Sequence, residues 1–129
     1  DIIFPKQNDI LILNLICINS SEKLLLDINR KGTFKLTRCT YQNRYQTNAQ
    51  LVRLDIDTKP HRNPDHEVIS PTHIHIYKEG YGDSWAYPLN NIPDMEYNIF
   101  TNTSNLVETF MDFCMFCNIS KIPSIQGVL

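Results

Sequence analysis

Strict two-residue alternation at the centre of the chain restricts its fold more than any other feature. In QLVRLDID, residues 50 to 57, Val52, Leu54 and Ile56 share one face while Arg53, Asp55 and Asp57 share the other, because successive side chains of an extended strand point to opposite sides. A strand that is apolar on one side and charged on the other belongs in an antiparallel sheet with one covered face. THIHIYK, residues 72 to 78, repeats the pattern, with Ile74 and Ile76 on one side and His73, His75 and Tyr77 on the other. From Lys23, KLLLDINRKGTFKLTRCTY alternates around Arg30, Lys31 and Gly32 and reads as a β-hairpin. After EGYGDS turns the chain, WAYPL returns as a short strand stopped by Pro88, which has no amide hydrogen to give.

The two ends read differently. NDILILNLICIN places Ile10, Leu13 and Cys17 at helix-like spacing, although its isoleucines and length suit a buried strand equally well; we take the helix as the expectation. The apolar run from Ile10 to Ile18 is broken by Asn14 and is about half the length that spans a bilayer. In TNTSNLVETFMDFCMFCNI, Thr103 or Asn105 can cap a helix, Glu108 suits its first turn, and Leu106, Phe110, Phe113 and Cys117 form a stripe. Between the alternating segments, TKPHRNPDHEVISP holds three prolines and reads as a long loop, where chemistry tends to sit. The expected fold is therefore α+β, a single domain over residues 1–129: an antiparallel sheet of about five strands with a C-terminal helix and an N-terminal helix on one face.

The net charge of −2 conceals an excess of +4 in residues 1–62 and of −6 in residues 63–129. A basic first half faces either an anionic partner such as nucleic acid or the acidic half of its own chain, and the second is the simpler reading. The chain opens without the pattern of a secretory leader, so Cys17, Cys39, Cys114 and Cys117 are expected as reduced thiols in the cytoplasm, with no membrane partner. CMFC, residues 114 to 117, fits Cys-x-x-Cys, but it lies inside an apolar helical run without a second pair and reads as buried small hydrophobes.

Chemistry concentrates at HIH. Alternation puts both imidazoles on one face with their Cβ atoms about 7 Å apart, beside Arg53 and Asp55 of the neighbouring strand. That set supplies a general base, a general acid, a phosphate-binding cation and a carboxylate able to fix a histidine tautomer. The leading expectation is a metal-independent endoribonuclease of toxin type, without a cofactor. His73 and His75 act as acid and base, Arg53 binds the phosphate, and Tyr77 or Lys78 assists. Arg38, Arg44 and Arg62 are further cations for RNA, and Tyr81 and Trp85 offer a surface for bases or for a partner protein such as a host factor or cognate antitoxin. One alternative is a non-catalytic binding protein that inhibits a host defence factor through the same face and the aromatic turn. Another is a metal-dependent hydrolase with His61, His73, His75 and Asp65 as ligands, or Asp57 or His66 from the same loop. EGYGDSW is not a phosphate-binding loop, and neither a nucleophile elbow nor a glycosidase-like carboxylate pair is present.

LLLDINRKGTFKLTRCTYQNRY, LVRLDID, the PHRNPD loop and HIHIYKEGYGDSWAYPL, in this order, resemble a family of small, functionally uncharacterised bacterial and phage-associated proteins. The resemblance covers roughly residues 23 to 90, and the last block is its most specific part. It implies a prokaryotic, prophage or mobile-element context in which toxins, antitoxins and anti-defence inhibitors are common, and it transfers no catalytic residue.

Overall fold

The alternating segments assemble as their pattern requires. A computed structural model of the chain describes residues 1–18, 20, 22–32, 35–45 and 49–126. In chain order it contains β1 (Ile2–Ile3), β2 (Ile10–Ile16), β3 (Lys23–Asn29), β4 (Cys39–Tyr45), β5 (Ala49–Ile56), β6 (His61–Arg62), β7 (Val68–Ile69), β8 (His73–Ile76), β9 (Ala86–Pro88), α1 (Leu106–Phe116) and β10 (Ile125–Gln126). Six strands form one antiparallel sheet in the order β2-β3-β4-β5-β8-β9. Two small pairs stand beside it, β1 with β10 and β6 with β7. No helix among the described residues is long and apolar enough to cross a membrane.

The N-terminal helix expected over Ile10–Ile18 is instead the edge strand β2, which also raises the main sheet from five strands to six. Its burial alternates at every position. Leu11, Leu13 and Leu15 pack on the core, whereas Ile10, Ile12 and Ile16 are exposed, the last at 71 %. The helical spacing of Ile10, Leu13 and Cys17 therefore mixes both faces of a strand. Seven successive pairs with β3, from Ile10 opposite Asn29 to Ile16 opposite Lys23, fix the outcome, and β-branched isoleucine favours it. The hairpin read from Lys23 is present as β3 and β4, but its connection is longer than a tight turn; residues 33 and 34 in it lie outside the described residues.

The C-terminal helix forms as its stripe requires. Asn105 caps it, accepting from the Glu108 amide at 3.0 Å, and Phe110, Phe113 and Cys114 are buried. It lies on the apolar face of the sheet, where Tyr41 of β4 packs against Phe110 and Phe113 at ring separations of 6.4 and 5.9 Å and donates its hydroxyl to the Leu106 carbonyl at 2.6 Å. Leu26, Ile28, Leu54, Ile56 and Ile74 complete this core. The charged faces of β4, β5 and β8 point the other way.

That second face is not fully open. Residues 58–71, read as a loop, carry the β6–β7 pair and fold over the end of the sheet. Asp57 donates its amide to Thr72 Oγ1 and Thr58 donates its amide to the Pro71 carbonyl, closing the base. Buried Asn63 clasps the edge strand: its Nδ2 donates to the Ala86 carbonyl at 2.9 Å, and its Oδ1 accepts from the Ala86 amide at 2.8 Å. An edge strand leaves a row of unpaired backbone groups, and here one side chain takes two of them. The loop is thus fastened above β8.

Candidate functional site

Antiparallel register decides which side chains of β5 and β8 meet. Arg53 stands opposite His75, and Asp55 opposite His73, so both pairs share the face away from the helix. Directly opposed residues have Cβ atoms about 5 Å apart, close enough for short polar side chains to touch. Asp55 is the hub. Its Oδ2 lies 3.2 Å from His73 Nε2 and 3.4 Å from His75 Nε2. Its Oδ1 accepts from Arg53 Nε at 3.0 Å and from Thr40 Oγ1 at 3.3 Å. The three ligand atoms of Asp55, His73 and His75 lie within 4.8 Å of one another.

The far sides of both imidazoles are anchored to backbone. His73 Nδ1 is 2.6 Å from the Ser70 carbonyl, and His75 Nδ1 is 2.8 Å from the Asp83 carbonyl. A carbonyl only accepts, so each Nδ1 must carry the hydrogen, and each Nε2 of a neutral ring is then a lone pair. The His75 lone pair is served by Arg53 Nη2, which donates to it at 2.9 Å. The His73 lone pair has no such donor among the described contacts and faces Asp55 Oδ2. Two acceptors 3.2 Å apart repel unless a cation lies between them, either a proton on the ring or a metal ion.

Burial sharpens this electrostatic demand. Both histidines are 1 % exposed, beneath the folded loop rather than on an open surface. Burial alone pushes the Asp55 carboxyl up, but the hydrogen bonds it accepts when His73 and His75 carry a proton on Nε2, together with the charge of Arg53, outweigh that effect and hold it well below the usual carboxylate range.

Two clefts reach the cluster. One, of about 430 Å³, is lined by Arg38, Thr40, Gln42 and Lys59 as well as by the cluster itself. The other, of about 470 Å³, is lined by Arg62, Asn63, His66 and Ser84. Arg53, His61 and His75 line both. His61 sits between them with its ring 4.6 Å from that of His75 and 5.9 Å from that of His73, and its Nε2 donates to the Ser84 carbonyl at 2.7 Å.

Among the residues singled out from sequence, Arg53, His73 and His75 converge here, with His61 beside them. Tyr77 and Lys78 do not join them. Tyr77 is half exposed beside Arg44 and Gln50, and Lys78 places its Nζ over the rings of Tyr81 and Trp85, 5.5 and 4.7 Å from their centroids. Tyr81 and Trp85 pack edge to face at 5.8 Å, on a turn whose Gly80 and Gly82 take φ of 86° and 60°, which side-chain-bearing residues resist. The Trp85 indole N–H is buried without a partner among the described residues. Arg44 is held by Asp27 through two bonds of 2.5 and 2.9 Å. Arg62 donates to the His66 carbonyl, and exposed Asp65 accepts the Glu67 amide.

Asp65, His66 and Asp57, considered as metal ligands, stay outside the cluster. Asp57 is bonded by Thr37 and Lys35 instead. Asp55 occupies the position the sequence reading gave to Asp65. Alternation identified Asp55 as a tautomer-fixing carboxylate on the correct face, while the pairing register that aims it at both rings is a tertiary fact. The backbone carbonyls of Ser70, Asp83 and Ser84 carried no sequence signal. Cys114 is buried and Cys117 half-buried, with thiols pushed up to about 12 chiefly by desolvation, as inert hydrophobic thiols are.

The chain belongs to a family of unknown function (DUF6978), whose match spans residues 1–119. No curated protein and no solved structure matches it.

Proposed function

We propose that this family member is a metal-dependent hydrolase whose metal ion is held by Asp55, His73 and His75. One observation carries the reading: His73 Nε2 and His75 Nε2 converge on Asp55 Oδ2 while both Nδ1 hydrogens are spent on backbone carbonyls. A metal-ligating histidine is normally oriented this way, with its second nitrogen fixed by a backbone or carboxylate acceptor. The spacing agrees with the same reading. Ligand bonds of about 2.1 Å set adjacent ligands about 3.0 Å apart in an octahedron and about 3.4 Å apart in a tetrahedron. The two observed separations are 3.2 and 3.4 Å.

Two imidazoles and one carboxylate suit zinc, iron or manganese and leave coordination positions for water and substrate. Such an ion supplies a water of lowered pKa and polarises the group under attack. The chain's own residues do the rest. With an ion held by these residues, Arg53 would release His75 Nε2 and keep its Nε bond to Asp55 Oδ1. His61, at the junction of the two clefts, accepts the proton released by the attacking water through Nδ1 and returns it to the leaving oxygen. Water thus adds at the electrophilic centre, the bond to the leaving oxygen breaks, and one proton passes from nucleophile to leaving group.

A metal-free ribonuclease using His73 and His75 as base and acid requires a ring nitrogen free to reach substrate. Each of the four is engaged with a carbonyl, with Asp55 or with Arg53, which favours the metal reading. The test compares chelator-stripped protein, the same protein with zinc, manganese or iron(II) restored, and His73→Ala, on chromogenic carboxylic and phosphoric esters and on total RNA. Hydrolysis that appears only with metal and vanishes in His73→Ala supports the proposal. Cleavage that persists in chelator and needs both histidines would return the site to metal-free chemistry.

A further inference from the structure

We infer that the group hydrolysed is a phosphodiester, seated against the metal ligands by Arg38, Lys59 and Arg53; its chemistry rests on the hydrolase reading above, its charge on the cleft alone. Three elements converge to line the first cleft with cations: Arg38 leads into β4, Arg53 belongs to β5, and Lys59 comes from the folded loop. Asp55 is the one acidic side chain among the described residues lining it, and a bound divalent ion more than offsets that charge. The cleft thus sets three positive side chains against one carboxylate, a balance that attracts an anion.

Arg38 and Lys59 are available for that anion. Among the described residues, no hydrogen bond or ion pair engages either side chain's charged head. Asp57 feels the charge of Arg38 but is itself bonded by Thr37 and Lys35. Arg38 is half-buried, and a half-buried guanidinium without an acceptor is a ready fork for two phosphoryl oxygens. Thr40 and Gln42 add uncharged hydrogen-bonding groups on the same wall.

The geometry distinguishes a diester from a monoester. The two clefts share Arg53, His61 and His75, so a phosphorus atom held there has a separate cleft for each of two ester substituents. A carboxylic ester needs no cluster of cations, and a terminal phosphate uses only one cleft. In the step that follows, the water oxygen bonds to phosphorus, one ester P–O bond breaks, and the leaving oxygen takes the proton carried by His61, giving a monoester and an alcohol.

Metal-reconstituted wild type, Arg38→Gln and Lys59→Gln are compared on bis(4-nitrophenyl) phosphate, 4-nitrophenyl phosphate and 4-nitrophenyl acetate, with inorganic phosphate as inhibitor. Calorimetric titration of metal-free protein with phosphate runs alongside. The diester is expected to turn over fastest. Each substitution should raise its KM about tenfold with a smaller change in kcat, weaken phosphate inhibition in parallel and leave metal content unchanged. A single-stranded RNA oligonucleotide separates the two sources of the diester: its cleavage identifies a polynucleotide, and turnover of the small diester alone identifies a low-molecular-weight substrate.

Turnover of the acetate without the diester, or a diester KM unmoved by both substitutions, overturns the inference while sparing the hydrolase. Should the protein bind no metal and hydrolyse nothing, the hydrolase reading falls, and phosphate titration decides the cleft: binding lost in Arg38→Gln retains the anion site, and no binding by wild type removes it.

Discussion

Asp55 and His73 face each other directly across the β5–β8 ladder, with the carboxylate Oδ2 3.2 Å from the imidazole Nε2 and the ring's other nitrogen committed to a backbone carbonyl. This pair joins fold to chemistry. The pairing that completes the sheet is also what sets two acceptors against one another and creates the demand for a cation. His75 adds a second nitrogen to the same oxygen, and Arg53 donates to that nitrogen.

Arg53 therefore competes with metal for His75 Nε2. Arg53→Met removes a charged hydrogen bond worth roughly 1.5–3 kcal/mol, so metal affinity should rise by about 10- to 100-fold. Competition against a chromophoric chelator measures it. An unchanged or weaker affinity would show that Arg53 supports the site rather than competing for it.

Asn63 holds the loop over the histidines through both of its amide atoms. Asn63→Ala leaves the buried amide and carbonyl of Ala86 without their partner, at a cost of about 2–4 kcal/mol on denaturant unfolding. Hydrogen exchange at the Ala86 amide should accelerate as well. A loss under about 0.5 kcal/mol would mean that water replaces Asn63 readily and that the loop is fastened elsewhere.

On the other face, Tyr41 and Phe113 test how the helix is attached. Phe113 is fully buried, and Phe113→Ala should cost about 3–5 kcal/mol through lost burial and the cavity left behind. Tyr41→Phe removes only the bond to the Leu106 carbonyl and should cost about 1 kcal/mol. Equal effects in chemical denaturation would contradict the packing described.

Cys39, Cys114 and Cys117 have thiols pushed up to about 12, each chiefly by burial. A folded-state pKa above the unfolded value of about 8.5 favours folding below that value and loses the contribution as pH rises toward 12. Stability should therefore decline from about pH 8.5 upward, and the three thiols should resist a disulfide reagent in native protein at pH 8. Rapid native labelling of all three would show that the helix–sheet core opens freely.

Much of this architecture was legible in the sequence where a single periodicity applied. Val52, Leu54 and Ile56 against Arg53 and Asp55 located β5 and its two faces, and Asn105 with the Leu106–Phe110–Phe113 stripe located the helix. The segment Ile10–Ile16 was misread because helical and strand spacings both fit a short apolar run. Only pairing with β3 distinguishes them. At the site, alternation put His73, His75, Arg53 and Asp55 on one face, but it could not show that residues 58–71 fold back to bury them, since Asn63 meets Ala86 across 23 positions of sequence. Tyr77 and Lys78 looked like neighbours of the histidines because they follow them in sequence. The strand ends at Ile76, and the glycine turn carries Lys78 onto Trp85.

Metal content and coordination show whether Asp55, His73 and His75 hold an ion. Protein purified without chelator is analysed by elemental mass spectrometry, then stripped and titrated with cobalt(II) while its visible absorption is followed, beside His73→Ala and Asp55→Asn. Expected are about one equivalent of ion per chain, a cobalt(II) spectrum of low-symmetry nitrogen and oxygen coordination, and loss of both in each variant. A wild-type protein that stays metal-free and gives only the spectrum of aqueous cobalt(II) would contradict the metal site, leaving Asp55, His73 and His75 as a proton-bridged structural cluster.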